Sequence, residues 1–339
     1  MASESEVSPR VVRATGNQHM SGKQSYTPRI NRVVDHIDAN LDATLDLEAL
    51  AGVAGFSPFH FHRLFVGLTG ETLAARVRRR RLEVAAGRLL TAPDKTALAI
   101  ALDVGFNSAE AFSRAFRAYF GVTPTGWRRG GYHAWAERHC VALSKIRQGD
   151  RKAYQAVMDA FLQDRELWPT GHVPRPKGEA TMDVSIKTLP DTKVAYIRHV
   201  GPYGGSGIAA AWQRFAGWCA EAGLMKPRRQ MYGVCLDDPT ITPPDKCRYD
   251  CAVEVSPDFV ATGEVGVETV AGGRYACGRF TGVAAEVRDA WNELVVGWLP
   301  KSGYQPDDRP AVEIYEPDFV VDEKTGAFSC LLCMPIRRL

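Results

Sequence analysis

The sequence predicts a chain of mixed class, α followed by α/β. An all-α tandem helix-turn-helix part comes first, then an α+β part built from duplicated strand-helix-strand units with antiparallel sheets. Three observations lead there. Ala51-Gly52-Val53-Ala54-Gly55-Phe56 is answered by Ala101-Leu102-Asp103-Val104-Gly105-Phe106 at an offset of 50, and Arg63, Phe65 and Gly70 by Arg114, Phe116 and Gly121 at 51. VSIKTLPDTKVAYIRHVG (184–201) parallels VGVETVAGGRYACGRFTG (265–282) at an offset of 81, and Ala211-Trp212…Trp218 parallels Ala290-Trp291…Trp298 at 79–80. The apolar period is helical in the first part and alternating in the second. Internal repeats of this kind mark duplicated supersecondary units.

The length of 339 residues fits two or three domains. Residues 28–130 hold 14 Lys and Arg against 10 Asp and Glu, and residues 182–339 hold 17 against 21. The first part leans basic and suits a polyanion; the second leans acidic. No run of about 18 apolar residues suggests a membrane span. The opening MASESEVSPR has no apolar stretch of the signal-peptide kind, and eight cysteines are too few for a disulfide scaffold, so a cytoplasmic protein with reduced thiols is expected.

Residues 1–27 are polar and aperiodic and read as a disordered arm. From Pro28, Ile30, Val33, Val34, Ile37 and Leu41 mark one helix face. Asp46 caps a second helix, with Leu47, Leu50 and Ala51 inward, and Gly55 breaks it. Ser57 and Pro58 then start a third, whose stripe is Phe61, Leu64, Phe65 and Leu68, leaving Phe59, His62 and Arg63 on the other side. By itself this helix serves equally as an amphipathic surface helix or as a reader of a partner. A long helix follows, with Leu73, Val77, Leu82, Ala86 and Leu89 inside; its run Arg78–Arg81 reads as a solvated face with one arginine turned inward, or as phosphate contacts. The second unit buries Phe112, Phe116, Tyr119 and Phe120 and leaves Ala109, Glu110, Ser113, Arg114 and Arg117 outside. Residues 131–181 read as a linker with a helix over 153–162 and a Pro/Gly-rich stretch. Residues 182–339 form one domain, each half reading strand, strand, helix, strand, strand, with one sheet per half and a groove between the halves.

Helix-turn-helix pairs of this type are equipped to read DNA. Arg63 and Arg114 can reach guanine O6/N7, His62, Ser113 and Glu110 can bond base edges, and Phe59 can pack on a thymine methyl. In the second part, Glu313 alternates with Val312 and Ile314 and shares a face with Tyr315. Beside aromatic residues drawn from Tyr196, Tyr203, Trp212, Tyr232, Trp291 and Trp298, such a carboxylate can neutralise an apolar cation, activate water, or simply pair with an arginine at a rim. Gly201–Gly207 is glycine-rich without the lysine of a phosphate loop, and Cys330-Leu331-Leu332-Cys333 sets its cysteines on opposite faces of a strand. Neither a metal nor a cofactor is expected.

LEALAGVAGFSPFHFHRLF, RRLEVAAGRLL and IALDVGFNSAEAFSRAFRAYFGVTPTGWR together resemble the DNA-binding domain of AraC/XylS-type transcriptional regulators. The resemblance implies base contacts from Phe59, His62 and Arg63, and from Ala109, Glu110, Ser113 and Arg114, with promoter DNA and RNA polymerase as partners. VAYIRHVGPYGG, RPAVEIYEP and the two-fold repeat resemble the GyrI-like effector-binding domain. That likeness implies a cleft for small, often cationic and aromatic compounds, with Glu313 at its floor. It also leaves a hydrolase acting through Glu313 as the alternative to a ligand-responsive regulator.

Overall fold

The computed structural model describes residues 26–139 and 182–339, apart from positions 205, 262 and 323. The helix expected over 153–162 and the Pro/Gly-rich stretch lie outside the described residues, as does nearly all of the N-terminal arm. Among the described residues the first part is built on α1 (Tyr26–Ala39), α2 (Leu47–Ala54), α3 (Pro58–Thr69), α4 (Leu73–Thr91), α5 (Ala97–Asp103) and α6 (Ala109–Phe120), followed by short helical turns over Pro124–Gly126 and Trp127–Gly131. The caps are local. Asp46, Thr72, Thr96 and Ser108 each accept a hydrogen bond from a backbone N–H three residues on. Ile30, Val33, Ile37, Leu50, Ala54, Phe61 and Phe65 close one core; Leu82, Leu89, Ile100, Phe112, Phe116, Phe120 and Trp127 close the other. Val84 of α4 packs against both. Residues 132–139 continue helically and set Trp135 on Phe120, with ring centroids 4.8 Å apart.

Two details differ from the sequence expectation. Leu47 and Leu68 are exposed, because each lies on the terminal turn of its helix, beyond the reach of the core. In the arginine run only Arg78 faces solvent. Arg79 binds Glu71 and Glu83, Arg80 binds Glu83, Asp38 and Asp237, and Arg81 donates to the carbonyl oxygens of Leu41 and Ala43.

The second part contains β1 (Val184–Leu189), β2 (Thr192–Val200), α7 (Ser206–Glu221), β3 (Met231–Cys235), β4 (Arg248–Glu254), β5 (Gly266–Val270), β6 (Gly273–Gly282), α8 (Val287–Asn292), β7 (Tyr304–Pro306), β8 (Ala311–Tyr315) and β9 (Phe328–Arg338). The halves do not form separate sheets. They share one antiparallel sheet in the order β1-β6-β9-β8-β3-β4-β2-β5, with β7 beside β9. The order is symmetric about the β8–β3 pair, and each half lends its first strand to the other: β1 pairs with β6 and β5 with β2. Pairing of β3 with β8 joins the halves, which is why one sheet forms where two were expected. No helix among the described residues is long and apolar enough to cross a membrane.

The sheet has two covered faces. Ala195, Ile197, Tyr249, Cys251, Ala276, Phe280 and Leu332 lie under α7 and α8. Val194, Tyr196, Tyr232, Val234, Tyr275, Val312 and Ile314 line the back. On that back, charged residues of β2 and β4 meet the helical part. Arg248 reaches Asp38 of α1 at 2.6 Å and Asp237 at 2.8 Å, and Arg80 of α4 bridges the same two carboxylates at 3.1 and 2.8 Å. Arg198 grips Asp250 with two bonds and reaches Asp35 of α1 at 2.7 Å. Burial works against the charge of Asp38, but Arg248, Arg80 and Arg76 outweigh it and hold the carboxyl at about 2.

The turn glycines of the two helical units give a graded test. Both have positive φ, 63° at Gly55 and 83° at Gly105. A Cβ on Gly55 would meet only the end of the Arg29 side chain, whereas one on Gly105 would collide with the Leu41 carbonyl oxygen and approach Arg81 Nη2 to 2.7 Å. Gly55→Ala should cost about 1–2 kcal/mol in urea unfolding for its left-handed backbone, and Gly105→Ala clearly more. Equal losses would place the constraint in φ alone.

Candidate DNA-reading face and effector site

The first candidate reading helix, α3, is set by Pro58 at its start and by Phe61 and Phe65 beneath it, both fully buried. This anchoring leaves Phe59 (71% exposed), His62 and Arg63 outward. In α6, Phe112, Phe116 and Phe120 supply the anchor, Glu110 and Arg114 are exposed, and Ala109 and Ser113 are half-buried. Glu110 sits in the first turn, where its own backbone N–H and the Ser108 hydroxyl hold its carboxyl below the usual range, with Arg114 adding to the effect. Its charge is thereby engaged at the helix start.

The effector candidates do not all converge. Glu313 is only 6% exposed and lies on the helix-covered face of the sheet. Its Oε2 accepts from the hydroxyls of Tyr249 at 2.6 Å and Tyr315 at 2.9 Å, and its Oε1 from the indole N–H of Trp291 at 3.2 Å. Trp212 donates to the Tyr249 oxygen at 3.3 Å and meets the Tyr315 ring edge-on at 5.2 Å. Tyr203 sets its ring against Tyr249 at 6.2 Å, but its hydroxyl faces the β3–β4 connection. Trp298 packs half-buried on the same core. Tyr196 and Tyr232, by contrast, are on the back of the sheet. Tyr196 donates to Asp35 and Tyr232 packs with Val234 and Ile314. Strand parity is the reason: Tyr196 shares a side with Val194, and Tyr232 is paired across from Ile314, whose side chain points away from the helices.

The expected groove is filled by these aromatic side chains. Its cover is held unevenly. No residue of α8 is buried, and the chain after it widens into a π-helical turn over Glu293–Trp298 that is anchored by the fully buried Leu294 while Val296 is 70% exposed. Two residues of the site were not singled out from sequence. Tyr249 alternates with Cys251 and Val253, which is a legible sign of its face. Gly233 stands directly opposite Glu313 in the β3–β8 register, and a Cβ there would overlap the Tyr249 hydroxyl and lie 2.8 Å from Glu313 Oε2. The offset of 80 between the two positions was the available signal.

Burial pushes the Glu313 carboxyl up from 4.5, against the pull of the hydrogen bonds from Tyr249, Tyr315 and Trp291. The folded chain therefore binds this proton more readily than the unfolded chain. The associated stability is full below the unfolded value of 4.5 and is lost as pH rises through the folded value. Glu313→Gln has no such proton, so its melting temperature should gain on that of the parent as pH rises from 4.5 towards neutrality. Thermal melts across that range check this; parallel curves for the two proteins would contradict it.

Residues 50–130 match the helix-turn-helix domain family, and residues 182–337 match the family of the GyrI-like small molecule binding domain. The chain is 43% identical to the Transposon Tn10 TetD protein of Escherichia coli over 107 residues, which is 32% of this chain and 77% of that protein. It is 35% identical to the Regulatory protein SoxS of Salmonella typhimurium over 104 residues, covering 31% of this chain and 96% of the relative. Among solved structures, the DNA-binding domain of AdpA, a global transcriptional factor in complex with a target DNA, is 30% identical, with 30% of this chain and 90% of that chain covered and a TM-score of 0.29. The chain belongs to the AraC-type family of transcriptional regulators and carries, C-terminal to its helix-turn-helix region, a GyrI-like small-molecule-binding domain.

Proposed function

We propose that this regulator binds promoter DNA through α3 and α6 and responds to a small, apolar, cationic compound that binds at Glu313. The observation that carries the ligand class is the composition of the Glu313 shell. A buried carboxylate is surrounded by Tyr249, Tyr315, Trp291 and Trp212, and its three donors are neutral. A buried anion held only by neutral donors gains most from a cation, and ring faces add to the attraction. Both carboxylate oxygens are engaged by phenol and indole hydrogens, which favours charge recognition over activation of water. The compound enters by displacing the lightly held α8 with its Trp291. Residues 28–130 act as the DNA-binding domain and residues 182–339 as the effector domain, with the whole working in the cytoplasm beside RNA polymerase.

The DNA reading is asymmetric. Phe59, His62 and Arg63 are all exposed, while Ala109 is small and half-buried and Glu110 is engaged at its helix start. Base selection rests mainly on α3, with Ser113 and Arg114 assisting from α6 in the adjoining major groove, roughly 34 Å along the duplex.

Two measurements test this function. Tetraphenylphosphonium, a probe of the stated class, should bind the full chain in calorimetry, and Glu313→Gln should weaken it at least about tenfold, equivalent to about 1.4 kcal/mol. Unchanged affinity in the variant would remove the charge role. On a duplex selected from a random library, Arg63→Ala should lose about 1–3 kcal/mol for a selected guanine and less for other bases. Arg114→Ala should lose less selectivity; a loss uniform across sequences for Arg63→Ala would assign that residue to phosphate.

A further inference from the structure

The connection between β3 and β4, residues 236–247, grips both helix-turn-helix units at once. Lys246 Nζ donates to the carbonyl oxygen of Thr69, the last residue of α3. Asp237 holds Arg80 of α4. Ile241, 4% exposed, sits in the core of the second unit with Leu82, Phe116, Phe120 and Trp127. Its carbonyl oxygen accepts from the Trp135 indole at 3.2 Å, and Thr240 Oγ1 accepts from the Tyr132 hydroxyl at 3.2 Å. This single segment thus spans from the end of the first reading helix to the structure behind the second.

The two strands that carry the segment also build the Glu313 site. Gly233 of β3 faces Glu313, and Tyr249 of β4 donates to it. Successive residues of a strand point to opposite faces. Tyr249 is flanked by Arg248, which binds Asp38 and Asp237, and by Asp250, which binds Arg198. One side chain joins the two environments directly. The Tyr203 ring packs edge-on against Tyr249, while its hydroxyl donates to the Arg248 carbonyl oxygen and accepts from the backbone N–H of Asp237 at 3.3 Å.

We propose that Tyr203 is a positioning residue that ties the Glu313 site to the β3–β4 connection, so that displacement of Tyr249 in the site shifts residues 236–247 and, through them, the relative placement of α3 and α6. The grip is poised for such a shift. Arg76, 5% exposed at the junction, has two nitrogens, Nε and Nη2, without a hydrogen-bond partner, so one arrangement of the junction leaves buried charge under-compensated. A shift of either end biases the other, since coupling between sites is reciprocal. Only the natural trigger rests on the reading of Glu313 as the effector site; the mechanical link does not.

Hydrogen exchange on the full chain tests the link without ligand or DNA. Glu313→Gln should change amide exchange about tenfold within 236–247 and around Asp38, in addition to β8 and α8. In a Tyr203→Phe background, which keeps the ring and removes the hydroxyl, β8 and α8 should still respond to Glu313→Gln, and the response at 236–247 should fall below about twofold. Trp291→Phe, which removes one donor to Glu313 from a half-buried position, supplies a second, milder trigger if Glu313→Gln melts the domain. A response confined to β8 and α8, or one that reaches 236–247 undiminished in Tyr203→Phe, overturns the proposal. Failure of tetraphenylphosphonium to bind would sink the cation reading and leave this result standing.

Discussion

Asp38 and Asp237 each bind both Arg80 and Arg248, at a junction where two folded parts would ordinarily meet through apolar side chains. Buried ion pairs of this kind give little stability compared with a packed apolar contact, because each charge has first to leave water. They act differently from apolar contacts in one respect. A hydrophobic interface tolerates sliding, whereas Arg248 meets Asp38 of α1 at 2.6 Å and Asp237 meets Arg80 of α4 at 2.8 Å across the junction, and a small displacement leaves a charge buried without its partner. Orphaning one member of a buried pair costs about 3–5 kcal/mol. The helical part is therefore fixed on the back of the sheet in one orientation rather than held loosely in many. The position of α1 and α4 against β2 and β4, and with it the placement of α3 and α6 relative to the sheet, depends on this cluster.

The pleat decides what lies on either side of that cluster. Arg248 and Asp250 face α1 and α4; Tyr249 between them faces α7, α8 and Glu313. A chemical event at Glu313 is consequently one hydrogen bond from Tyr249, which is one residue along β4 from the groups that bind α1 and α4. A route through a separate linker is not required for the proposed communication across the sheet, and the regular geometry of a strand makes the shorter route stiff.

Much of this was legible in the sequence, and the exceptions have physical causes. The cap at Asp46, the turn glycine Gly55 and the division of Val312 and Ile314 from Glu313 follow from local rules, since each depends on residues a few positions apart, and both repeats show as direct self-similarity. Tyr196 and Tyr232 share the chemistry of the site but not its face: strand parity sets Tyr196 with Val194 and Tyr232 with Val234, on the back of the sheet. The arginine run could not be resolved from sequence at all. Arg80 finds Asp38 at a separation of 42 and Asp237 at 157, and no periodicity encodes partners so remote. The exchange of β1 and β5 between halves was hidden for a related reason: the repeat reveals that two units exist, but either a separate or a shared sheet satisfies the same alternation.

The two-fold repeat also explains why the candidate site contains one carboxylate. β3 and β8 are equivalent strands of the two halves, and they pair with each other across the pseudo-symmetry axis, with Gly233 opposite Glu313. A strictly symmetric duplication would put two glutamates on this pair, directly across from each other. Cβ atoms of such pairs are about 4.5–5.5 Å apart, and like charges there oppose one another. In a buried setting one of the two would have to take up a proton. Glycine at one of the positions removes the conflict and also makes the room that the Tyr249 hydroxyl occupies. The symmetric scaffold thus supports an asymmetric centre, with a single carboxyl group and donors drawn from β4, β8 and α8. A centre of this kind offers charge and aromatic surface together, the selectivity that the proposed binding of a small cation calls for.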